Sequence, residues 1–156
     1  KLRPFHLADF DGGWYLVGYD PERKARRTFA LQRMKGARVM KTKFARPADF
    51  SLTDHLGGSF GVWHQPEAGK ERHRIRLRFT GWAARMVSER CWHPSQEIAW
   101  VGRKKDVLEI TLELSGFEEI SRWVLSWGPQ VEVLEPDELR EAIVSALEKS
   151  KELYLS

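Results

Sequence analysis

Strict alternation of apolar and polar residues marks two strands in the second half of the chain. In residues 72–79 arginines occupy alternate positions, and Ile75, Leu77 and Phe79 stand among them. Residues 107–114 repeat the pattern, with leucines and an isoleucine between glutamates and a threonine. Successive side chains of a strand point to opposite faces, so each segment has one apolar and one polar face. Both segments are predicted to be half-buried strands.

Shorter elements around these two strands complete a regular order. Apolar residues at helical spacing predict a helix over 117–127, which Gly128-Pro129 ends. The predicted order is βαββαβ followed by a helix, which is typical of a ferredoxin-like split βαβ fold. In that fold the first and third strands are antiparallel neighbours, so the arginine face of 72–79 should meet Glu109 and Glu113. The remaining predicted elements are a helix over 83–90, strands over 97–101 and 131–134, and a closing helix over 137–153.

The pattern of the first half predicts a small β unit. Residues 14–19 form an aromatic strand with apolar side chains on both faces, so both faces can be covered and Trp14 is predicted to be buried. Asp20-Pro21-Glu22-Arg23 is a turn signal, since proline presets φ at the second turn position. Ser51 is predicted to begin a short helix as a hydroxyl cap. The predicted strands of this unit cover residues 5–10, 14–19, 27–34 and 37–42.

Two arginines share one face of the third predicted strand. If alternation continues over residues 27–34, Arg27 and Arg33 lie on the same side, together with apolar residues. A guanidinium group held against an aromatic wall suits a planar or anionic ligand. The alternative is that these arginines pair at the surface with Asp20 or Glu22.

Composition and charge narrow the class of protein. The chain has 156 residues, 42% of them hydrophobic, with seven tryptophans, which suits one medium globular domain or two small ones. No apolar run approaches the ~18 residues that a membrane helix needs, and the single cysteine excludes an internal disulfide framework, so a cytoplasmic protein is expected. The net charge of +4 is spread unevenly: residues 20–47 hold ten lysines and arginines against two acids, whereas residues 106–156 hold four against twelve. We therefore expect the N-terminal part of the chain, and not the C-terminal part, to bind anions.

The sequence lacks the common catalytic and metal-binding patterns. Cys91-x-His93 offers fewer ligands than a structural zinc site needs. Cys91 lies between an amphipathic segment and Trp92, so it is predicted to be a buried structural cysteine. A Gly-x-Ser-x-Gly elbow and the Walker and Rossmann glycine patterns are absent from the sequence. We expect no cofactor and no enzyme activity.

Three sequence elements of the first half have a characteristic order and spacing. They are Pro4-x-x-Leu7, GWYLVGY over 13–19 and RTFALQRM over 27–34. Together they resemble the WYL family of bacterial regulatory domains, which is named for the tripeptide seen here as Trp14-Tyr15-Leu16. The resemblance implies an Sm/SH3-like β-barrel that senses a ligand without catalysis and usually follows a DNA-binding winged helix in a transcription factor. It also implies a basic pocket for nucleic-acid-like ligands, including single-stranded DNA.

Three segments of the second half also match a known pattern: ERCWHPSQ, WVLSWG and VLEPDEL, over 89–96, 123–128 and 133–139. They resemble the WCX extension that follows many WYL domains. The two resemblances imply a WYL domain over 1–48, a linker over 49–70 and a WCX extension over 71–156. Family barrels open with a strand or two before the Pro-x-x-Leu element, and Lys1 stands just ahead of it, so the opening strands are expected to be missing from this sequence.

The resemblance also implies a site and a function. It places the family's ligand-contacting arginines at Arg27 and Arg33. Weaker candidates, which could pack in the barrel or serve only as accessory phosphate contacts, are His6, Tyr15, Arg23 and Arg26. We predict the ligand-sensing and dimerisation region of a bacterial WYL-type transcriptional regulator, with a short single-stranded DNA or an oligonucleotide as ligand and a homodimer built mainly through residues 71–156. The alternatives are a protein-interaction and oligomerisation module without a small ligand, and an accessory domain of a nuclease or helicase.

Overall fold

The computed structural model describes residues 1–10, 12–61, 71–102 and 106–155. The chain divides into two compact units, Lys1–Pro66 and Glu67–Ser156. Each unit is built on one antiparallel sheet, with three strands in the first unit and four in the second. With its helices the protein has a mixed α+β fold.

The first unit contains the strands β1 (Arg3–Phe10), β2 (Gly13–Asp20) and β3 (Ala25–Ala30) and the helix α1 (Leu52–Leu56). The strands follow each other as an antiparallel meander in the order β1-β2-β3. Ser51 caps α1, because its hydroxyl accepts a hydrogen bond from the backbone N–H of Asp54 at 3.2 Å. This confirms the predicted cap. Gly57 ends the helix in the left-handed conformation, with a φ of 59°.

The first sheet is smaller than the sequence predicts. The strand predicted over 27–34 ends at Ala30, because Leu31–Arg33 turns into a 3-10 helix. No strand forms over 37–42, where Val39 and Met40 are exposed and the segment buries no apolar face against the sheet. The described residues of this unit therefore form an open three-stranded sheet and not a closed barrel. The Sm/SH3-like assignment stays a prediction.

The core of the first unit lies on one face of its sheet. Phe5, Val17 and Phe50 are its buried residues, and the ring centroids of Phe5 and Phe50 are 5.2 Å apart. Phe50 belongs to the segment 49–70 that the sequence predicts as a linker, and residues 62–70 of that segment lie outside the described residues. The predicted domain boundaries stay a prediction.

The second unit contains the strands β4 (His73–Thr80), β5 (Glu97–Val101), β6 (Val107–Leu114) and β7 (Val131–Glu135) and the helices α2 (Gly81–Ser88), α3 (Glu118–Ser126) and α4 (Asp137–Leu155). Every strand is antiparallel to its neighbours in the order β5-β6-β4-β7. The first and third strands of this unit, β4 and β6, are neighbours, which confirms the predicted pairing. The ferredoxin-like assignment stays a prediction.

Alternation in β4 and β6 separates a buried face from a charged one. Ile75, Leu77 and Phe79 of β4 are fully buried, as are the leucines and the isoleucine of β6. Ile75 pairs with Leu112, and directly paired residues point to the same face of a sheet. The apolar core of this unit therefore lies on one face of its sheet, and the arginines and glutamates of both strands lie on the other.

Tryptophans pack at one side of this core. The Trp127 ring lies 5.9 Å from Phe79 and 5.8 Å from Trp123 between centroids, edge-on in both cases. Trp82 and Trp92 lie 5.5 Å and 6.1 Å from the same ring. Edge-on pairs of this kind contribute stability beyond that from the burial of apolar area. Trp127 therefore packs within the second unit, although the residue keeps some exposure.

The closing helix α4 buries only its first turns. Leu139 and Ile143 are buried, whereas Leu147 is 51% exposed and Tyr154 is 89% exposed. The apolar residues of this helix are therefore covered near its N-terminal end and exposed near its C-terminal end, within the part of the chain that the structure describes.

Candidate nucleic-acid interface

The turn between β2 and β3 directs an acidic side chain toward the backbone. Asp20 Oδ1 accepts hydrogen bonds from the backbone N–H groups of Glu22, at 3.0 Å, and Arg23, at 3.3 Å. Such a bond from an aspartate to the following backbone stabilises a turn. In the described residues neither Asp20 nor Glu22 forms a salt bridge with Arg27 or with Arg33. The alternative prediction, that these arginines pair at the surface with Asp20 or Glu22, is therefore not met in the described residues.

The basic residues between positions 20 and 47 are exposed and, in the part of the chain that the structure describes, lack carboxylate partners. All ten lysines and arginines of this segment are exposed. Among the described residues, none of the ten forms a salt bridge. Unpaired cations at this density create a positive potential that attracts polyanions. The ten are Arg23, Lys24, Arg26, Arg27, Arg33, Lys35, Arg38, Lys41, Lys43 and Arg46.

Three of the predicted site residues lie on the core face of the first sheet, the face that carries Val17. His6 pairs directly with Val17 across a register shift in β1, which marks a β-bulge. Tyr15 and Arg26 reach the same face by strand alternation, since residues two positions apart point the same way. The structure therefore brings His6, Tyr15 and Arg26 to one side of the sheet.

The other three predicted site residues lie elsewhere. Arg27 pairs with Gly18 and lies on the outer face, the face that carries Trp14 and Leu16. Arg23 stands on the turn between β2 and β3, and Arg33 ends the 3-10 helix. Because β3 ends before position 33, strand alternation does not bring Arg33 beside Arg27. The six predicted residues are thus spread over both faces of the sheet, the turn and the 3-10 helix, and they do not share one face.

The outer face is apolar and partly exposed. Leu16 pairs there with Leu7 on one side and with Phe29 on the other. Trp14 is 50% exposed, so the prediction that it is buried is wrong. The physical reason is that Phe5 and Phe50 build the core on the opposite face. An apolar strip with Arg27 at its edge combines a surface for stacking with a positive charge.

Sequence reasoning missed the contacts that residues outside the strands make with this unit's core and sheet. The guanidinium groups of Arg26 and Arg46 both lie over the Phe50 ring. His55 is buried beneath β3, where its Nε2 lies 3.2 Å from the hydroxyl of Thr28. The available signal is weak: Arg46 stands in an irregular segment, and only its nearness in sequence to Phe50 connects it with the core.

Two arginines of the second unit, Arg76 and Arg78, are paired with glutamates. Arg78 donates to Glu109 at 2.8 Å, and Arg76 donates to the same carboxylate at 3.1 Å and to Glu135 at 2.8 Å. Glu132 accepts a further, longer hydrogen bond from Arg78 at 3.3 Å. The bond from Arg78 is the largest of the causes that lower the pKa of the Glu109 carboxyl; desolvation opposes it, and the bond from Arg76 adds to the lowering. The predicted pairing with Glu109 is confirmed.

The predicted pairing with Glu113 has a different outcome. Arg74 stands opposite Glu113 in the strand register. No salt bridge joins the two side chains in the part of the chain that the structure describes. The arginine stripe therefore faces both glutamates, as predicted, but of these two only Glu109 is an ion-pair partner in the described residues.

The loop around Cys91 does not have the predicted character. Cys91 is exposed, so its prediction as a buried cysteine is wrong, and its thiol lies 3.5 Å from the carbonyl of His93. Burial, helped by the charge of Arg72, lowers the pKa of His93, whose Nδ1 accepts a hydrogen bond from the backbone N–H of Ser95.

Among the described residues no three histidines, cysteines or acids are grouped to hold a metal ion. The helices described also include none with the length and apolarity required to cross a membrane.

Comparisons with known proteins place both units. The model of the WYL domain matches residues 1–39, and the model of the WCX domain matches residues 71–150. Among solved structures, proteasome accessory factor B/C (PafBC) of Arthrobacter aurescens aligns with 93% of this chain at 24% identity and a TM-score of 0.41. This chain covers 21% of the length of that one. With a WYL domain followed by a WCX domain, in the order of WYL-family regulators, the chain belongs to the WYL family.

Proposed function

We propose that this chain is the ligand-sensing and dimerisation region of a WYL-type transcriptional regulator, and that its first unit binds a short single-stranded DNA or an oligonucleotide. The observation that carries the proposal is the set of ten exposed lysines and arginines without ion-pair partners in the described residues. Membership of the WYL family supports the regulatory role.

The chemistry of the first unit suits a single-stranded ligand. Phosphate groups gain most from cations that are not already neutralised by carboxylates. Exposed aromatic rings provide stacking surfaces for bases, and Trp14 is such a ring. The residues proposed to contact the ligand are Arg27 and Arg33, with contributions from His6, Tyr15, Arg23 and Arg26.

The proposed mechanism is allosteric and involves no bond making or breaking. The ligand neutralises the positive charge of the first unit, and this favours one conformation of the regulator over another. A ligand shifts such an equilibrium only by its difference in affinity for the two states. The change would be relayed to a DNA-binding domain of the whole regulator.

Fluorescence anisotropy with a labelled oligothymidylate tests the proposal. We expect binding to the whole chain with a log Kd–log salt slope of roughly 0.7 per neutralised phosphate. Arg27→Ala/Arg33→Ala should flatten that slope and weaken binding about tenfold or more, since a charge-assisted contact is worth about 1.5–3 kcal/mol. The matched control is Arg74→Ala/Arg85→Ala, which removes the same charge from exposed positions of the second unit.

Two results would contradict this assignment. If the control variant weakens binding as much as Arg27→Ala/Arg33→Ala does, net charge and not the first unit determines affinity. If the unmodified chain does not bind the oligonucleotide at low salt, the nucleic-acid ligand is wrong.

The exposed end of α4 favours a second function, self-association. Leu147, Leu153 and Tyr154 are apolar or aromatic and exposed on the last turns of this helix. Buried apolar area drives most protein association. Light scattering should therefore give a dimer, and Leu147→Glu/Leu153→Glu should give a monomer; a monomer of the unmodified chain at tens of micromolar contradicts dimerisation. A dimer that ignores oligonucleotides would support the interaction module over the sensor.

A further inference from the structure

Two arginines of the first unit converge on one aromatic ring. The guanidinium carbon of Arg26 lies 5.8 Å from the centroid of the Phe50 ring, and that of Arg46 lies 5.2 Å from it. Both side chains are exposed, while Phe50 itself is buried in the core. The ring therefore belongs to the packed part of the unit, and it holds the two charged groups where the core meets the solvent.

The two arginines come from separate parts of the chain. Arg26 is in β3, on the core face of the sheet. Arg46 is in the irregular segment before α1, and the Phe44 ring anchors this segment to the core at 6.3 Å from the Phe5 ring. Folding of the first unit is thus what brings the two guanidinium groups to the same ring.

Within the described residues this arrangement has no counter-charge, since neither Arg26 nor Arg46 forms a salt bridge there. Two cations held at one ring raise the local positive potential, which attracts an anion. The five N–H donors of a guanidinium group form a planar fork, which can bond a phosphate bidentately. The pair is therefore suited to an anion with several oxygens.

We infer that Arg26 and Arg46, positioned by Phe50, form a phosphate-binding site of the first unit, distinct from the Arg27 site on the outer face. Its ligand is a phosphodiester group of the single-stranded nucleic acid, so the inference rests on the proposed function and adds a second point of attachment. The ligand then contacts the core face at this pair, and Arg46 and Phe50 join the residues that determine affinity.

The test uses the whole chain and a fluorescein-labelled oligothymidylate of about ten nucleotides, a length within the usual site sizes for single strands. Arg26→Ala/Arg46→Ala should weaken binding about tenfold, a change of ~1.4 kcal/mol. It should also reduce the salt slope by roughly 0.7 for each phosphate that the variant no longer neutralises. Arg74→Ala/Arg85→Ala again controls for net charge.

A lysine pair separates the effect of the planar guanidinium groups from that of charge alone. Arg26→Lys/Arg46→Lys keeps both charges but removes the planar, bidentate group. If the arginine pair binds phosphate as inferred, the lysine variant should bind severalfold more weakly than the unmodified chain. Full affinity of the lysine variant would overturn the role of the bidentate guanidinium groups and leave only a charge effect.

The outcomes distinguish this inference from the broader proposal. If Arg27→Ala/Arg33→Ala weakens binding while Arg26→Ala/Arg46→Ala binds as the unmodified chain does, the phosphate site at Phe50 is wrong and the nucleic-acid ligand stands. If the unmodified chain does not bind the oligonucleotide, the nucleic-acid proposal fails, and this inference fails with it.

Discussion

The two units place the same residue types in opposite situations. Arg76 and Arg78 of the second unit keep 33% and 41% of their side-chain surface exposed, yet glutamates occupy both guanidinium groups. The arginines between positions 20 and 47 of the first unit are exposed too, but they have no carboxylate partners in the described residues. Exposure alone therefore does not make an arginine available to a ligand, and the partner across the sheet decides.

Tryptophan shows the same contrast. Trp14 is half exposed on an apolar face of the first sheet, whereas Trp127 packs among three other tryptophans and Phe79 in the second unit. The ring of Trp127 thus contributes to the packing of its unit, whereas Trp14 stays at the surface, where it can meet a ligand.

The largest expected effect tests this contrast directly. Trp127→Ala should lower the free energy of unfolding by about 3 kcal/mol, because removal of the ring leaves a cavity in an aromatic cluster. Trp14→Ala should cost at most about 1 kcal/mol, since half of its surface is already in water. Urea denaturation of the two variants and the unmodified chain measures both values. Equal destabilisation would show that Trp14 carries as much of the packing as Trp127 does.

A gain of binding would sharpen the contrast between the arginine sets. Glu109→Gln/Glu132→Gln/Glu135→Gln removes the charged partners of Arg76 and Arg78 and keeps the side-chain shapes. In the Arg27→Ala/Arg33→Ala background we expect this change to restore oligonucleotide affinity severalfold, measured by anisotropy, because freed arginines attract phosphate. Unchanged affinity of the folded variant would mean that carboxylate partners are not what keeps the second unit from binding.

The smallest expected effect is on the pH dependence of stability. The pKa of Glu109 is lower in the folded protein than in the unfolded chain, so the unfolded state takes up its proton first as the pH falls. Its contribution to stability is present above the unfolded pKa of about 4.3 and is lost as the pH falls through the folded pKa. Denaturation at pH 7 and pH 3 should show a smaller acid destabilisation for Glu109→Gln than for the unmodified chain. An identical change in both proteins would contradict this role of Glu109.

Local periodicity is sufficient to predict most of the second unit. The alternation in 107–114 coincides with β6, and 72–79 differs from β4 by one residue at each end. One buried face and one charged face give a strand a clear period of two, and the register follows from it. The pairing of the arginine stripe with Glu109 could therefore be predicted from the sequence.

Periodicity is insufficient for the first unit, because long-range contacts determine its shape. Apolar residues occur on both faces of β2, so the sequence could not show which face would be covered, and the prediction for Trp14 is wrong for this reason. The end of β3 at Ala30 separates Arg27 from Arg33, although their spacing fits one strand face. Contacts such as Arg46 on Phe50 join an irregular segment to the core, and no repeat in the sequence reports them.

Sharing of the Glu109 carboxylate by Arg76 and Arg78 has a consequence for how this surface tolerates mutation. If one of these arginines is replaced, the other no longer shares the carboxylate with it. The contribution of the unchanged arginine to stability therefore changes as well. Effects of substitutions at 76 and 78 should therefore be non-additive, and the two positions constrain each other's evolution. The cations of the first unit that share no partner in the described residues can change one at a time.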